Sequence, residues 1–235
     1  MASQDGGAEQ VFLAKLTKCL GRPLPDTRPT RPAALRPELS PVNAANSDQL
    51  ISEFTSNCTK LTTRCTVVPD ITQLQASISA LLAELKAKSV ITWNSAKILQ
   101  AGIPDICRAS GVNVTLWDNL AARATMLRRC ASVDVGITWA DFAIANTGTL
   151  AIMSNPQQSR VVSLLPPVHI AVVDQNKLLP TLGNVFAQLD AAKMPAAVNF
   201  ITGPSRTSDI EMDLALGVHG PGQVFVLILD SSVTN

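Results

Sequence analysis

The feature that most constrains this chain is a change of rhythm after residue 62. From there short runs of β-branched residues alternate with amphipathic helical stretches. "TRCTVV" (63–68) reads as a strand, Asp70 then caps a helix with Gln73 at the capping-box position, and Ile71, Leu74, Ile78, Leu81, Leu82 and Leu85 recur on one helical face. "SVITW" (89–93) is the next strand, followed by a short helix around Ser95 to Gln100, a strand "VNVTLW" (112–117) and a helix "NLAARATMLRRC" (119–130). Strands separated in this way by helices follow the β-α-β rhythm of a sheet with helical crossovers. The rhythm implies an α/β fold with helices covering a sheet.

Residues 133–173 depart from it. "VDVGITWADFAIANTGTLAIMS" and "RVVSLLPPVHIAVVD" are rich in β-branched and alternating residues, with turn chemistry at Asn146–Thr149 and at Pro166-Pro167, which predicts several consecutive strands. "KLLPTLGNVFAQLD" (177–190) predicts a helix with Leu178, Leu182, Val185, Phe186 and Leu189 on one side and Pro180 in its first turn. Strands "AAVNFITG" and "QVFVLILD" close the chain. Upstream, "VFLAKLTKCL" (11–20) predicts a short helix ended by Gly21, and the Pro- and Arg-rich residues 22–41 predict an extended tether. The helix "SDQLISEFTSNCTKL" (47–61) carries an apolar stripe of Leu50, Ile51, Phe54, Cys58 and Leu61. The expected organisation is an N-terminal helix and linker over 1–44 and an α/β domain over 45–235.

Composition narrows the function classes. The 235 residues are 46% hydrophobic and 16% charged, enough for one sizeable core, and a formal charge of +1 gives no electrostatic basis for binding nucleic acid or an anionic membrane. No apolar run approaches the roughly 20 residues that span a bilayer, and the N-terminus lacks a secretory pattern, so the expected location is the cytoplasm with no membrane insertion. The cysteines Cys19, Cys58, Cys65, Cys107 and Cys130 are odd in number and show no paired C-x-x-C spacing, so they read as small buried hydrophobes and no metal site is expected. Nucleotide-binding glycine fingerprints and the G-x-S-x-G elbow are both absent.

Chemistry concentrates in "ITGPSRTSDIEMDLALGVHGPG" (201–222). Gly203, Ser205, Arg206 and Thr207 follow a strand, where an open α/β sheet gathers its ligands, and a guanidinium with neighbouring hydroxyls suits a carboxylate or phosphate. The same residues read equally as a turn, a helix cap and an ion-pair partner for Asp209 or Glu211. As a strand, Asp209, Glu211 and Asp213 would share one face; as a helix, Asp209 and Asp213 would face solvent. His219 lies between glycines, able to act as an acid or base or to cap a turn. Thr147, Gly148 and Thr149 form either an anion-binding nest or a plain hairpin turn. His169, before an apolar run, reads as a strand histidine. The candidate ligand-binding residues are therefore Thr147, Gly148, Thr149, Gly203, Ser205, Arg206 and Thr207, with Asp209, Glu211 and His219 as candidate catalytic groups.

The blocks "GITWADFAIANTGTLAIMSNPQQSRVVSLLPPVHIAVV" and "ITGPSRTSDIEMDLALGVHGPGQVFVLIL" resemble the LUD-domain family, in particular its LutC or YkgG type of lactate utilisation protein. The resemblance covers most of the chain. It implies a single domain akin to the NagB/RpiA/CoA-transferase-like fold and a role beside LutA- and LutB-like iron–sulphur proteins in oxidising L-lactate to pyruvate. The chain itself would hold no cofactor, the iron–sulphur clusters belonging to its partners. The family blocks fall on Thr147, Gly148, Thr149, His169, Gly203, Ser205, Arg206, Asp209, Glu211 and His219. One departure stands out: the family commonly reads A-E-T-G-T where this chain has Asn146, which cannot accept a proton as a carboxylate would. Two readings follow, an accessory component binding a small carboxylate or partner subunits, and a stand-alone transferase- or isomerase-like enzyme acting on a CoA ester, sugar phosphate or similar anion. A third, a scaffold docking through the arginine-rich linker, needs no ligand.

Overall fold

The computed structural model describes residues 6–21, 47–190, 194–207, 215–216 and 219–230. The chain divides into two compact units, Met1–Pro37 and Glu38–Asn235. In the first, helix α1 (Gly6–Leu20) leaves Val11, Phe12, Leu16 and Leu20 exposed. The linker expected over 22–41 lies outside the described residues.

The second unit begins with α2 (Ser47–Lys60), β1 (Arg64–Val68), α3 (Ile71–Glu84), β2 (Ser89–Thr92), α4 (Ala96–Gln100), α5 (Ile103–Ala109), β3 (Asn113–Leu116) and α6 (Arg123–Ser132). It continues through β4 (Val135–Trp139), β5 (Phe142–Ile144), β6 (Thr149–Ser154), α7 (Val161–Leu164), β7 (Val168–Asp174), β8 (Leu178–Leu179) and α8 (Leu182–Gln188). Four strands complete it: β9 (Ala197–Ile201), β10 (Arg206–Thr207), β11 (Ala215–Leu216) and β12 (Gln223–Leu229).

Six parallel strands form the main sheet in the order β1-β12-β7-β4-β2-β3. Helices cover both faces of such a sheet, so its central strands are buried; every residue of β4 is buried, as are the first six of β7. From α3, Leu74, Ile78 and Leu82 face this core, and the Asp70 carboxylate accepts the Gln73 N–H at 2.7 Å to start the helix as its sequence predicts. At the amino ends of β2 and β4 one carboxylate ties the strands together. Asp134 Oδ2 accepts from the N–H of Lys88 (2.8 Å), the N–H of Ser89 (2.9 Å) and the Ser89 hydroxyl (2.9 Å), and the Lys88 N–H first among these holds its carboxyl below the usual range.

A second sheet, β8-β5-β6-β9, follows from the end of β4 and surrounds the hairpin of β5 and β6. β10 and β11 form a separate antiparallel pair. The sequence expectation differs from the structure at three places. The helix predicted over 177–190 starts only at Leu182, because Leu178–Leu179 pair with β5 as an edge strand and Thr181 with Asn184 closes a capping box immediately after Pro180. The predicted run of strands over 133–173 is broken by α7, packed on β4. Helix α5, which the sequence reading leaves out, starts from a left-handed Gly102 with Pro104 in its first turn.

The winding reverses between β2 and β4. From β2 the chain moves outward to β3, whereas from β4 it moves the other way to β7, so the crevice at the carboxyl ends of β2 and β4 is the switch point where open α/β sheets bind ligands.

Candidate functional site

The segments nominated from sequence converge on the last turn of α2. Asn57 Nδ2 donates to the Ala145 carbonyl at 2.9 Å, and the Cys58 thiol points to the Gly148 carbonyl at 3.9 Å. Gly148 has φ +62°, and a side chain there would begin 3.0 Å from Cys58 N, so the turn both needs a left-handed residue and has no room for a larger one. Thr149 and Thr202 share a hydroxyl–hydroxyl bond of 2.9 Å, which joins this turn to the end of β9. Ser205 N–H donates to the Pro221 carbonyl at 2.9 Å, bringing the two Gly-Pro turns together.

Arg206 Nη2 donates to the Leu61 carbonyl (2.6 Å) and to Thr62 Oγ1 (3.1 Å). A cation at this position satisfies a carbonyl left open by the helix and complements the negative end of its dipole. Arg206→Ala is therefore expected to lower stability by about 1 kcal/mol, read as a small drop in urea midpoint, with Arg206→Lys recovering part of it. Thr147, Asn146 and His219 are exposed, Gly203 turns beside Leu61, and Thr207 pairs through its backbone with Ala215. Asp209 and Glu211 lie outside the described residues.

His169 sits in β7 with no exposed surface, its Nε2 2.8 Å from Thr138 Oγ1. Burial pulls its pKa down to about 4, so the ring is neutral at physiological pH. Among the cysteines, burial pushes the Cys107 thiol up to about 12 and Cys130 up to about 11, which makes both poor nucleophiles. Cys65 is half-buried and held low, first by its contact with the neighbouring Cys58 thiol, while Cys58 is pushed up by the same contact and by burial. Among the described residues no three His, Cys, Asp or Glu side chains gather closely enough to hold a metal ion.

The switch-point crevice holds a cleft of about 520 Å³. After β2 come Ser95, Ala96 and Lys97; after β4 come Ala140, Asp141 and Phe142; Trp139, Met153, Gln158, Lys177 and Gln188 complete its wall. Lys97 is committed: its Nζ pairs with Asp174 Oδ2 at 2.5 Å and lies 5.4 Å from the Trp139 ring centre, whose Nε1 donates to the same carboxylate at 3.2 Å. Lys177 Nζ lies 5.7 Å over the Phe142 ring, and no protein carboxylate pairs with it among the described residues. Ser95 also lines the cleft, and its buried Oγ has no hydrogen-bond partner among the described residues. Asp141 is half-buried, and burial drives its carboxyl above the usual range against the opposing pull of the Met153 N–H, Lys97 and Lys177.

A raised carboxyl, an available ammonium and an orphan hydroxyl in one crevice are what a binding site for a small polar molecule requires. The loop 155–160 walls this cleft from a second cavity of about 400 Å³ at the end of β3, and it is held there by Trp93 Nε1 donating to Ser159 O and Trp117 Nε1 donating to Pro156 O, both at 2.9 Å. Ser95, Lys97, Asp141 and Lys177 are absent from the sequence-based candidates. The available signal was the repeated "ITW" closing two strands, at Ile91–Trp93 and Ile137–Trp139, yet it marks a site only once those strands are known to flank the switch point.

Three comparisons bear on identity. A family model described as the LUD domain matches residues 51–229. A protein of Halalkalibacterium halodurans named "Lactate utilization protein C" is 31% identical over 227 residues, spanning 94% of this chain and 97% of that one. A protein of the same name from an Exiguobacterium species is 32% identical over 225 residues, with 93% and 95% covered. The crystal structure of a DUF162 family protein from Deinococcus radiodurans shares the fold, with a TM-score of 0.56 at 21% identity over 80% of this chain and 99% of that one.

Proposed function

The chain belongs to the LUD-domain family, and on that premise we propose that it serves lactate utilisation in the cytoplasm as an accessory component that binds a small carboxylate. In this reading LutA- and LutB-like iron–sulphur partners hold the redox centres and pass the electrons, while this chain holds the anion. The observation that carries the reading is the switch-point cleft, lined by Lys177, whose ammonium pairs with no carboxylate among the described residues, and by Ser95. The Lys177 ammonium offers a charged donor to an anionic oxygen. Among the described residues no helix is long and apolar enough to cross a membrane.

A rival place for the anion is the junction of Thr147–Thr149 with Gly203–Thr207, where Arg206 supplies the charge. The two differ in what mutation does. With L-lactate or pyruvate at a hundredfold excess over Kd, the bound state gains about 2.7 kcal/mol and Tm rises by about 5–10 °C. Lys177→Ala is expected to remove most of that rise while leaving the unliganded Tm within about 1 °C, and Arg206→Ala to lower the unliganded Tm while preserving the rise. The reverse outcome transfers the site to the Arg206 loop.

One observation favours the second reading, a stand-alone enzyme on a CoA ester or sugar phosphate. At about 520 Å³ the cleft is in the range that holds ligands much larger than lactate. Adding ribose 5-phosphate and coenzyme A to the same thermal-shift series separates the readings, because stabilisation by either of these without lactate or pyruvate belongs to the enzyme.

A further inference from the structure

The cleft contains a carboxyl group that ordinary anion binding does not call for. Asp141 leaves the end of β4 with its backbone N–H donated to the Ala151 carbonyl at 3.0 Å and its Oδ2 accepting the Met153 N–H at 2.7 Å. Two bonds to β6 therefore fix both its backbone and one carboxylate oxygen, while no other residue among those described donates a hydrogen bond to Oδ1. A residue held this way is a rigid acceptor on the wall of the cleft, beside the available amine of Lys177.

A 2-hydroxy acid and its 2-oxo counterpart carry the same carboxylate. They differ at the neighbouring carbon, where one presents an O–H donor and the other only a carbonyl acceptor. We infer that Asp141 is a specificity-determining residue: with the ligand carboxylate on Lys177, its Oδ1 accepts the 2-hydroxyl proton of lactate and turns away the oxygen of pyruvate. The inference rests on the cleft being the carboxylate site. Its energetic basis is that a buried acceptor left facing another acceptor loses a charge-assisted bond and gains repulsion, which discriminates far better than a difference in size.

The charged groups around Asp141 set how the preference responds to pH. Lys97 and Lys177 face it, and Asp174 is occupied by Lys97. Burial raises the carboxyl above its ordinary value, so acidification protonates it while a lactate or pyruvate carboxylate is still ionised. A protonated Asp141 is a donor. The preference for lactate is therefore full when the carboxyl is ionised and declines as pH falls through its raised pKa.

Isothermal titration of the full-length chain with L-lactate and with pyruvate tests this. Asp141→Asn can keep an oxygen on the Met153 N–H while placing an N–H₂ donor where Oδ1 stood. It is expected to move the ratio of lactate to pyruvate affinity by about tenfold or more toward pyruvate. In the unmutated chain the same ratio is expected to fall as the pH is lowered through the raised pKa of Asp141. If Asp141→Asn fails to fold, the pH series alone decides. A wild-type chain that binds both acids with a ratio moved neither by the substitution nor by pH overturns the role of Asp141 and leaves the cleft as the site. A wild-type chain that binds neither acid defeats the cleft reading and this inference with it.

Discussion

Gly136→Ala is expected to destabilise the protein by about 3–5 kcal/mol and to lower its Tm by about 10 °C. Gly136 lies in β4 at the centre of the main sheet, paired with Ile91 of β2 and His169 of β7. A β-carbon there would fall 2.0 Å from the Val162 carbonyl oxygen and 3.0 Å from Pro166 Cγ. The first of these is backbone, so no rotamer change relieves it, and α7 itself has to move. That helix is restrained at both ends. Trp93 Nε1 holds the Ser159 carbonyl before it, and Pro166-Pro167 leads into β7 after it, where the Pro167 carbonyl accepts the Gly222 N–H at 2.9 Å. Displacing α7 consequently disturbs β7, β12 and the 155–160 loop beside the cleft. A urea titration showing less than about 1 kcal/mol of loss would contradict this packing argument. Any ligand-induced rise in Tm should also diminish in the variant, because Gln158 belongs to the same loop.

The elements that could be read directly from the residues are those whose burial leaves a local signature. Strands β2, β7 and β12 appear in the sequence as runs rich in β-branched and aliphatic residues because parallel strands covered on both faces have no polar side to alternate with. The start of α3 was readable from Asp70 and Gln73 because a cap is a contact between residues three apart. Strand order was not. The last strand, β12, inserts between β1 and β7, and nothing within "QVFVLILD" distinguishes that place from an edge. Leu178–Leu179 failed for a related reason: two leucines before a helical stripe match its periodicity, and only their pairing with Ala143 and Ile144 makes them a strand.

The same division applies to the sites. Hydroxyls, glycines and an arginine clustered over a few residues drew the sequence reading to 147–149 and 203–207, and those segments do meet through Thr149 and Thr202. What they meet upon is the end of α2, contributed by Asn57, Cys58 and Leu61 from a distant stretch with no motif of its own. The cleft is assembled from Ser95, Lys97, Asp141 and Lys177, which are separated by up to eighty-odd residues, and each is an ordinary residue until the topology brings β2, β4 and β7 together. The rule that ligands gather at carboxyl ends of strands was available from the start. Choosing the right strand end required the order of the sheet.

His169 should make the fold lose stability with acid over a window that carboxylates alone do not explain. The ring is fully buried on β7, which lies between β4 and β12, and its one polar contact among the described residues is the Thr138 hydroxyl; Nδ1 has no partner there. With the proton on Nε2 the neutral ring donates to Thr138 and leaves only a lone pair facing apolar surroundings. Protonation would bury a charge and strand an N–H. Burial accordingly depresses the folded-state pKa from 6.5 to about 4. Between these values the unfolded chain takes up a proton that the folded chain refuses. Stability from this residue is therefore complete above pH 6.5 and is lost as pH falls toward about 4. The difference corresponds to about 3 kcal/mol, or about 6–12 °C in Tm. His169→Gln carries an amide at the position of Nε2 and cannot titrate in this range, so it is expected to start lower at neutral pH and to lose much less between pH 6.5 and 4. Comparing melting temperatures of the two proteins across that window cancels the carboxylates they share. Parallel curves would mean that the buried imidazole is not the group whose protonation unfolds the sheet.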